Sequence, residues 1–287
     1  MRGWKLWRKQ SKKYFPVFAL PTLVAFTIGF IVPFIMGIYL SFCEFTTVTD
    51  AKICRIQKNY LRVFSDPTFM HALWFTALFT IVSVLTINVF AFVIAMLLTK
   101  GIKGTNFFRT VLFMPNLIGG IVLGYIWQIL LNGILGHFGR TLTYSSSYGF
   151  WGLIILMNWQ QVGYMMIIYI AGIQNIPGEL IEAAKMDGAS NWQLLKSVTI
   201  PLVMPSITIC TFLTLTNSFK LFDQNLALTA GEPSNNSQML ALNIFETFYG
   251  RTGWEGVGQA KAVIFFIIVA VIALAQNRLT RTKEVQQ

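Results

Sequence analysis

The apolar positions of this chain come in long unbroken runs, not in the narrow stripe of a helix with one wet face. A helix needs about 20 mostly apolar residues to cross a bilayer, and the stretches at about 17–41, 72–98, 110–131, 150–172, 205–227 and 259–277 are long enough to do so. The pattern predicts an all-α integral membrane protein with six transmembrane helices. Between the fourth and fifth runs lies "ELIEAAKMDGASNWQLLKSVTIPLVMP", a water-compatible segment whose apolar residues do follow a helical period. It reads as two short helices. Pro177, Glu179 and Glu182 suit the first turns of one, Asp187-Gly188 breaks it, and Ser190 with Gln193 forms a capping-box signature for the next. Pro201 predicts that this second helix ends near Ile200.

Composition supports the membrane reading. The 287 residues are 55% hydrophobic and only 11% charged, with a mean hydropathy of +0.60, outside the range of soluble domains. A formal charge of +11 would suit a nucleic-acid partner if it were gathered on one polar face. Here the cations are scattered between apolar runs, so they act as topology signals and no nucleic-acid partner is expected. Most Lys and Arg fall before span one, in 99–109, in 173–204 and after span six, which predicts both termini in the cytoplasm; Lys52, Arg55, Lys58 and Arg62 in the first outer loop run against the trend. The basic start resembles a signal peptide, but its apolar stretch is too long and lacks a small-residue cleavage site, so it is read as a retained first span preceded by a cytoplasmic segment, 1–16.

No tandem repeat or long linker divides the chain, which predicts a single transmembrane domain, 1–287. Gly120 and Gly124 form a GxxxG in span three that signals close helix packing. The stretch "MLALNIFETFYG" in the last outer loop is a candidate interfacial helix. Cys43, Cys54 and Cys210 fit no metal or redox spacing; Cys43 and Cys54 share an outer loop, where a disulfide and two free thiols are both open. No G-x-x-x-x-G-K-[ST] is present, "KGIKGTNFF" failing the spacing, so the chain is not expected to hydrolyse ATP. His71 and His137 stand in no catalytic or metal-binding pattern, and no metal site is predicted.

Within the 173–204 segment, "EAA" at Glu182–Ala184, "DGA" at Asp187–Ala189 and "IPL" at Ile200–Leu202 followed by Pro205 closely resemble the EAA loop of binding-protein-dependent ABC importer permeases. The segments "DPTFMHALWFTALFT", "FFRTVLFMPNLIGGIVLGYIWQILLN", "FKLFDQNLALTAGEP" and "GQAKAVIFFI" extend the resemblance to the sugar-uptake branch, similar to the membrane subunits of the maltose importer. The "LT-x-G-x-P" element resembles the first of the two permeases in such systems, with Glu232 where glycine is commoner. This resemblance implies a type I permease fold in a bacterial or archaeal cytoplasmic membrane. Its implied partners are a sister permease, two cytoplasmic ATPase subunits that use ATP and Mg, and an extracytoplasmic solute-binding protein that delivers a carbohydrate. The chain itself would hold no cofactor and catalyse nothing. Glu182, Ala183, Ala184, Asp187, Gly188 and Ala189 would form the coupling element that docks on an ATPase.

Two polar clusters interrupt the apolar spans. Span four carries Asn158, Trp159, Gln160, Gln161 and Tyr164; span five carries Asn217, Ser218, Lys220, Asp223, Gln224 and Asn225. A central Lys or Asp costs about 2.5 to 3.5 kcal/mol in a membrane helix and usually faces a cavity or a partner. Amide and hydroxyl groups both donate and accept, as a sugar hydroxyl requires, and the resemblance places carbohydrate contacts on these two spans. The substrate pathway is therefore expected at Asn158, Gln160, Gln161, Tyr164, Asn217, Ser218, Lys220 and Asp223. The alternative is that these groups bond helix to helix, with Lys220 and Asp223 a neutralising pair. Rival functions are a secondary transporter, which would lean on Asp223, and a membrane enzyme seeded by Glu182 and Asp187, whose spacing sets them on different helical faces.

Overall fold

A computed structural model describes residues 15–45, 51–53 and 57–281. Segment 1–14, Cys54 with Arg55, and the chain after Arg281 lie outside the described residues, and with them the Cys43–Cys54 question. In chain order the elements are α1 (Phe15–Leu40), strands β1 (Cys43–Phe45) and β2 (Ala51–Ile53), α2 (Gln57–Phe64), α3 (Pro67–Leu98), α4 (Thr105–Phe113), α5 (Gly120–Gly136), α6 (Ser146–Gln174), α7 (Gly178–Met186), α8 (Asn191–Leu202), α9 (Met204–Phe219), α10 (Asp223–Leu228), α11 (Leu240–Gly250) and α12 (Glu255–Arg281). Helices α1, α3, α6 and α12 are each long and apolar enough to cross a membrane; the bent pairs α4–α5 and α8–α9 bring the number to six if each pair is one span.

The chain divides into two compact units, one running to Ser65 and including Thr247–Ile264, the other comprising Asp66–Glu246 and Phe265 onward. No linker marks the borders, which pass through α11 and α12. In the first unit, β1 and β2 pair antiparallel with Cys43 opposite Ile53. Buried Asn59 of α2 donates to the carbonyls of Ser41 (2.9 Å) and Cys43 (2.8 Å), tying helix to strand. Lys261, fully buried in α12, donates to Thr247 Oγ1 at 2.8 Å. Along α1 the rings of Phe26, Phe30 and Phe34 stack at 5.1 and 6.1 Å.

The second unit is built around α6, which is buried on most of its sides. Helix α3 starts at Pro67 because Asp66 accepts a hydrogen bond from Thr68 N (3.0 Å) and proline suits the first turn. It turns Phe79, Thr80, Ser83, Ile87, Ala91 and Ala95 into the core at helical spacing. Phe75 and Phe79 meet Phe150 edge-on at 5.5 and 6.2 Å. In lipid, helix association rests on such packing and on interhelical hydrogen bonds. Tyr169 donates to Asn88 Oδ1 (2.7 Å), and Asn88 reaches Thr214 of α9 (3.4 Å).

Two stretches expected as continuous helices are broken, and one expected to stop runs on. The span read at 110–131 bends by 102° between α4 and α5. Pro115 lies in a 3-10 turn, Met114–Leu117, and Ile118 is extended, so the ladder stops before Gly119. The span read at 205–227 ends as α9 at Phe219 and resumes as α10 only at Asp223. The second cytoplasmic helix, expected to end near Ile200, runs on to Leu202. A wide turn with Ile200 N bonded to the Leu195 carbonyl accommodates the Pro201 ring, and a 69° bend follows at Val203.

Candidate functional site

The α9–α10 break opens the described cavity. Its volume is about 270 Å³, and Asn217, Lys220, Asp223 and Gln224 line it from the broken segment together with Leu221 and Phe222, while Met157 and Gln161 face it from α6. Packing against α5 holds α10 in place. A Cβ on Gly120 would lie 2.8 Å from Asp223 Cβ, and one on Gly124 would lie 2.6 Å from Ala227 Cβ. The GxxxG of span three therefore exists to let the cavity-forming helix approach.

A polar chain braces the wall. Gln224 Nε2 donates to Gln160 Oε1 at 2.8 Å, and Gln160 Nε2 reaches the Ile118 carbonyl, freed by the α4–α5 break, at 3.4 Å. Gln160 is thus a buried joint between both broken spans. Asn217 Nδ2 lies 3.4 Å from Gln161 Oε1. Lys220 and Asp223 are exposed, and no ion pair joins them among the described residues. The neutralising-pair alternative is not what the geometry shows. The cavity offers amide donors and acceptors, one cation and one anion, and an apolar side of Met157, Leu221 and Phe222.

Of the residues expected in a pathway, Gln161, Asn217, Lys220 and Asp223 come together here. The others stand apart from the lining. Asn158 donates to Thr86 Oγ1 (2.9 Å) between α6 and α3. Tyr164 lies beside Phe113 with ring centroids 6.3 Å apart. Ser218 is fully buried. The expected pathway left out Gln224, though it stood in the span-five cluster, and missed Met157, Leu221 and Phe222; Met157 sits one helical turn before Gln161, a spacing that carries the signal, whereas nothing in "LF" marks a cavity wall. Replacing Gln160 by leucine should leave the Ile118 carbonyl and Gln224 without their bonds and lower stability by about 1 kcal/mol, measured as thermal unfolding of the detergent-solubilised chain.

At the far end of α6, α7 and α8 form a tight hairpin. Pro177 caps α7 with an extended backbone and does not enter its first turn; Glu179 lies in the first turn and Lys185 in the last, complementing the helix dipole. The end of α7 is a Schellman turn, with Gly188 N bonded to Lys185 O and Ala189 N to Ala184 O, both at 3.0 Å. Gly188 has φ +80°, a left-handed conformation that a Cβ would strain. The capping box of α8 is present as expected: Ser190 N donates to Gln193 Oε1 at 2.8 Å and Ser190 Oγ accepts from Gln193 N. Glu182, Ala183, Asp187 and Gly188 are exposed, and Ala184 and Ala189 are half-buried. Met186 (88% exposed) and Trp192 (69%) add apolar side chains to the same hairpin.

Comparison with known proteins places these features. The chain is 44% identical over 279 residues, 94% of each chain, to the probable starch degradation products transport system permease protein of Thermoanaerobacterium thermosulfurigenes. It is 30% identical over 288 residues, 97% of this chain and 99% of the relative, to the multiple sugar-binding transport system permease protein of Streptococcus mutans. The structure superposes with a TM-score of 0.79 on a chain of a bacterial ABC transporter involved in the import of the acidic polysaccharide alginate, covering 97% of this chain and 99% of that one; at 20% identity the likeness carries the fold, that of a type I ABC importer permease. The model of the binding-protein-dependent transport system inner membrane component matches residues 63–284. The chain belongs to that family, and is a membrane component of a transport system, not an enzyme.

Proposed function

We propose that this chain is one permease subunit of an ATP-driven importer and that the cavity at the α9–α10 break is a waypoint for a carbohydrate handed over by a solute-binding protein. The observation that carries this reading is the convergence of Gln161, Asn217 and Gln224 with Phe222 and Met157 on one cavity inside an otherwise apolar bundle. Amides bond hydroxyls in either direction, and an aromatic or apolar wall suits the face of a sugar ring. Lys220 and Asp223 bring opposite charges to the same rim, which favours a neutral sugar. The permease names of the relatives, for starch degradation products and multiple sugars, support the same class.

In this reading the α7–α8 hairpin, with Glu182 to Ala184 and Asp187 to Ala189, docks on one of two cytoplasmic ATPase subunits. A sister permease completes the pathway, both termini lie in the cytoplasm, and ATP with Mg is used by the partners alone. The capped ends make the hairpin a rigid unit at the end of α6, so a push on it reaches the helix that bears Gln161 and Met157. The test is uptake by the reconstituted importer with Gln161→Ala and Asn217→Ala together. Loss of two amide contacts of about 1 kcal/mol each should slow uptake by about tenfold or more, with ATPase assembly unchanged. Unaltered uptake across all sugars tried would remove the cavity from the pathway.

A further inference from the structure

From the basic end of α3, we infer that Lys100, Lys103 and Arg109 bind the phosphate of an anionic phospholipid, anchoring the bent α4–α5 span to the membrane surface. Helix α3 runs for 32 residues without an Asp, Glu, Lys or Arg and ends at Leu98. Lys100 and Lys103 follow at once and are exposed. The apolar surface resumes on α4, where Phe107 (68% exposed), Phe108 and Val111 point outward, followed by Met114 and Leu117. The cations therefore lie where the apolar surface that faces acyl chains gives way to headgroups.

Charge and hydrogen bonding point the same way. No Asp or Glu occurs between Asp66 and Glu179, and among the described residues Lys100, Lys103 and Arg109 have no ion pair. Arg109 is only half-exposed, and its Nε is buried without a hydrogen-bond partner. A phosphate oxygen is the acceptor that a guanidinium fork fits best. A lipid phosphate supplies it at the membrane level that these residues occupy, which a free anion does not.

The test exchanges the purified full chain into nanodiscs of phosphatidylcholine with phosphatidylglycerol and counts retained lipid by native mass spectrometry. The wild type should be enriched in phosphatidylglycerol. Enrichment should fall about fivefold for Lys103→Gln and about 25-fold for Lys100→Gln with Lys103→Gln, as expected for about fivefold per basic residue at an anionic surface. The charge-keeping pair Lys100→Arg with Lys103→Arg should retain it, which separates lost binding from lost folding. No enrichment in the wild type, full enrichment in the folded double Gln variant, or equal loss in the Arg pair would overturn the inference. So would displacement of the lipid by inorganic phosphate, which would make the site one for free anions.

Discussion

Gly163→Ala is expected to destabilise the protein more than any other single methyl addition in the bundle. A Cβ at Gly163 would sit 1.8 Å from the Leu112 carbonyl oxygen and 2.3 Å from its carbon. The obstacle is the backbone of α4 and not the tip of a flexible side chain, so α6 and α4 would have to separate. Overpacking of this kind costs about 3 kcal/mol, a fall in Tm of about 5 °C for a chain of this size. Gly133→Ala in α5 is the matched control, because its Cβ meets nothing within 4 Å and alanine is favoured over glycine in a helix by about 0.5 to 1 kcal/mol. Thermal unfolding of both variants in detergent decides the matter; equal Tm values would mean that the crossing is not as tight as described.

The second large effect is on transport, with stability nearly untouched. Gly188→Val forces a β-branched side chain into the left-handed region at φ +80°, at a cost of about 1 to 2 kcal/mol. The Schellman bonds from Gly188 and Ala189 would break before the global fold does, since the hairpin is exposed and a Cβ at Gly188 would meet nothing within 4 Å. The two helices would then no longer hold one relative orientation. Docking of a partner that reads their joint surface should weaken by about tenfold, and uptake by the reconstituted importer should fall with it. Gly188→Asn, which tolerates the left-handed region better, should recover most of the activity.

The hairpin was legible in the sequence because each feature has a local cause. Gly188 for the turn and the Ser190–Gln193 box for the next cap are written in adjacent residues, and both stand in the structure. The apolar runs were equally plain, since bilayer crossing needs only length and hydropathy. The break that forms the cavity was not legible. Residues Lys220 to Phe222 contain neither proline nor glycine, and the interruption depends on α5, whose Gly120 and Gly124 admit α10, and on Gln160, which holds Gln224 across 2.8 Å. Such causes are tertiary. For the same reason Asn158 and Tyr164, polar residues on the span that bears Gln161, could not be told from cavity residues by type; only their bonds to Thr86 and their place beside Phe113 set them apart.

The most direct test of the account is whether the α7–α8 hairpin joins this chain to an ATPase. The full chain is expressed in its native background, captured from detergent, and assayed for copurified ATP hydrolysis, with wild type compared against Glu182→Ala combined with Gly188→Trp. A nucleotide-hydrolysing subunit is expected with the wild type, and its loss, or hydrolysis no longer linked to uptake, with the variant. If no ATPase accompanies the wild type and the chain moves substrate unaided, the coupling role of the hairpin is contradicted.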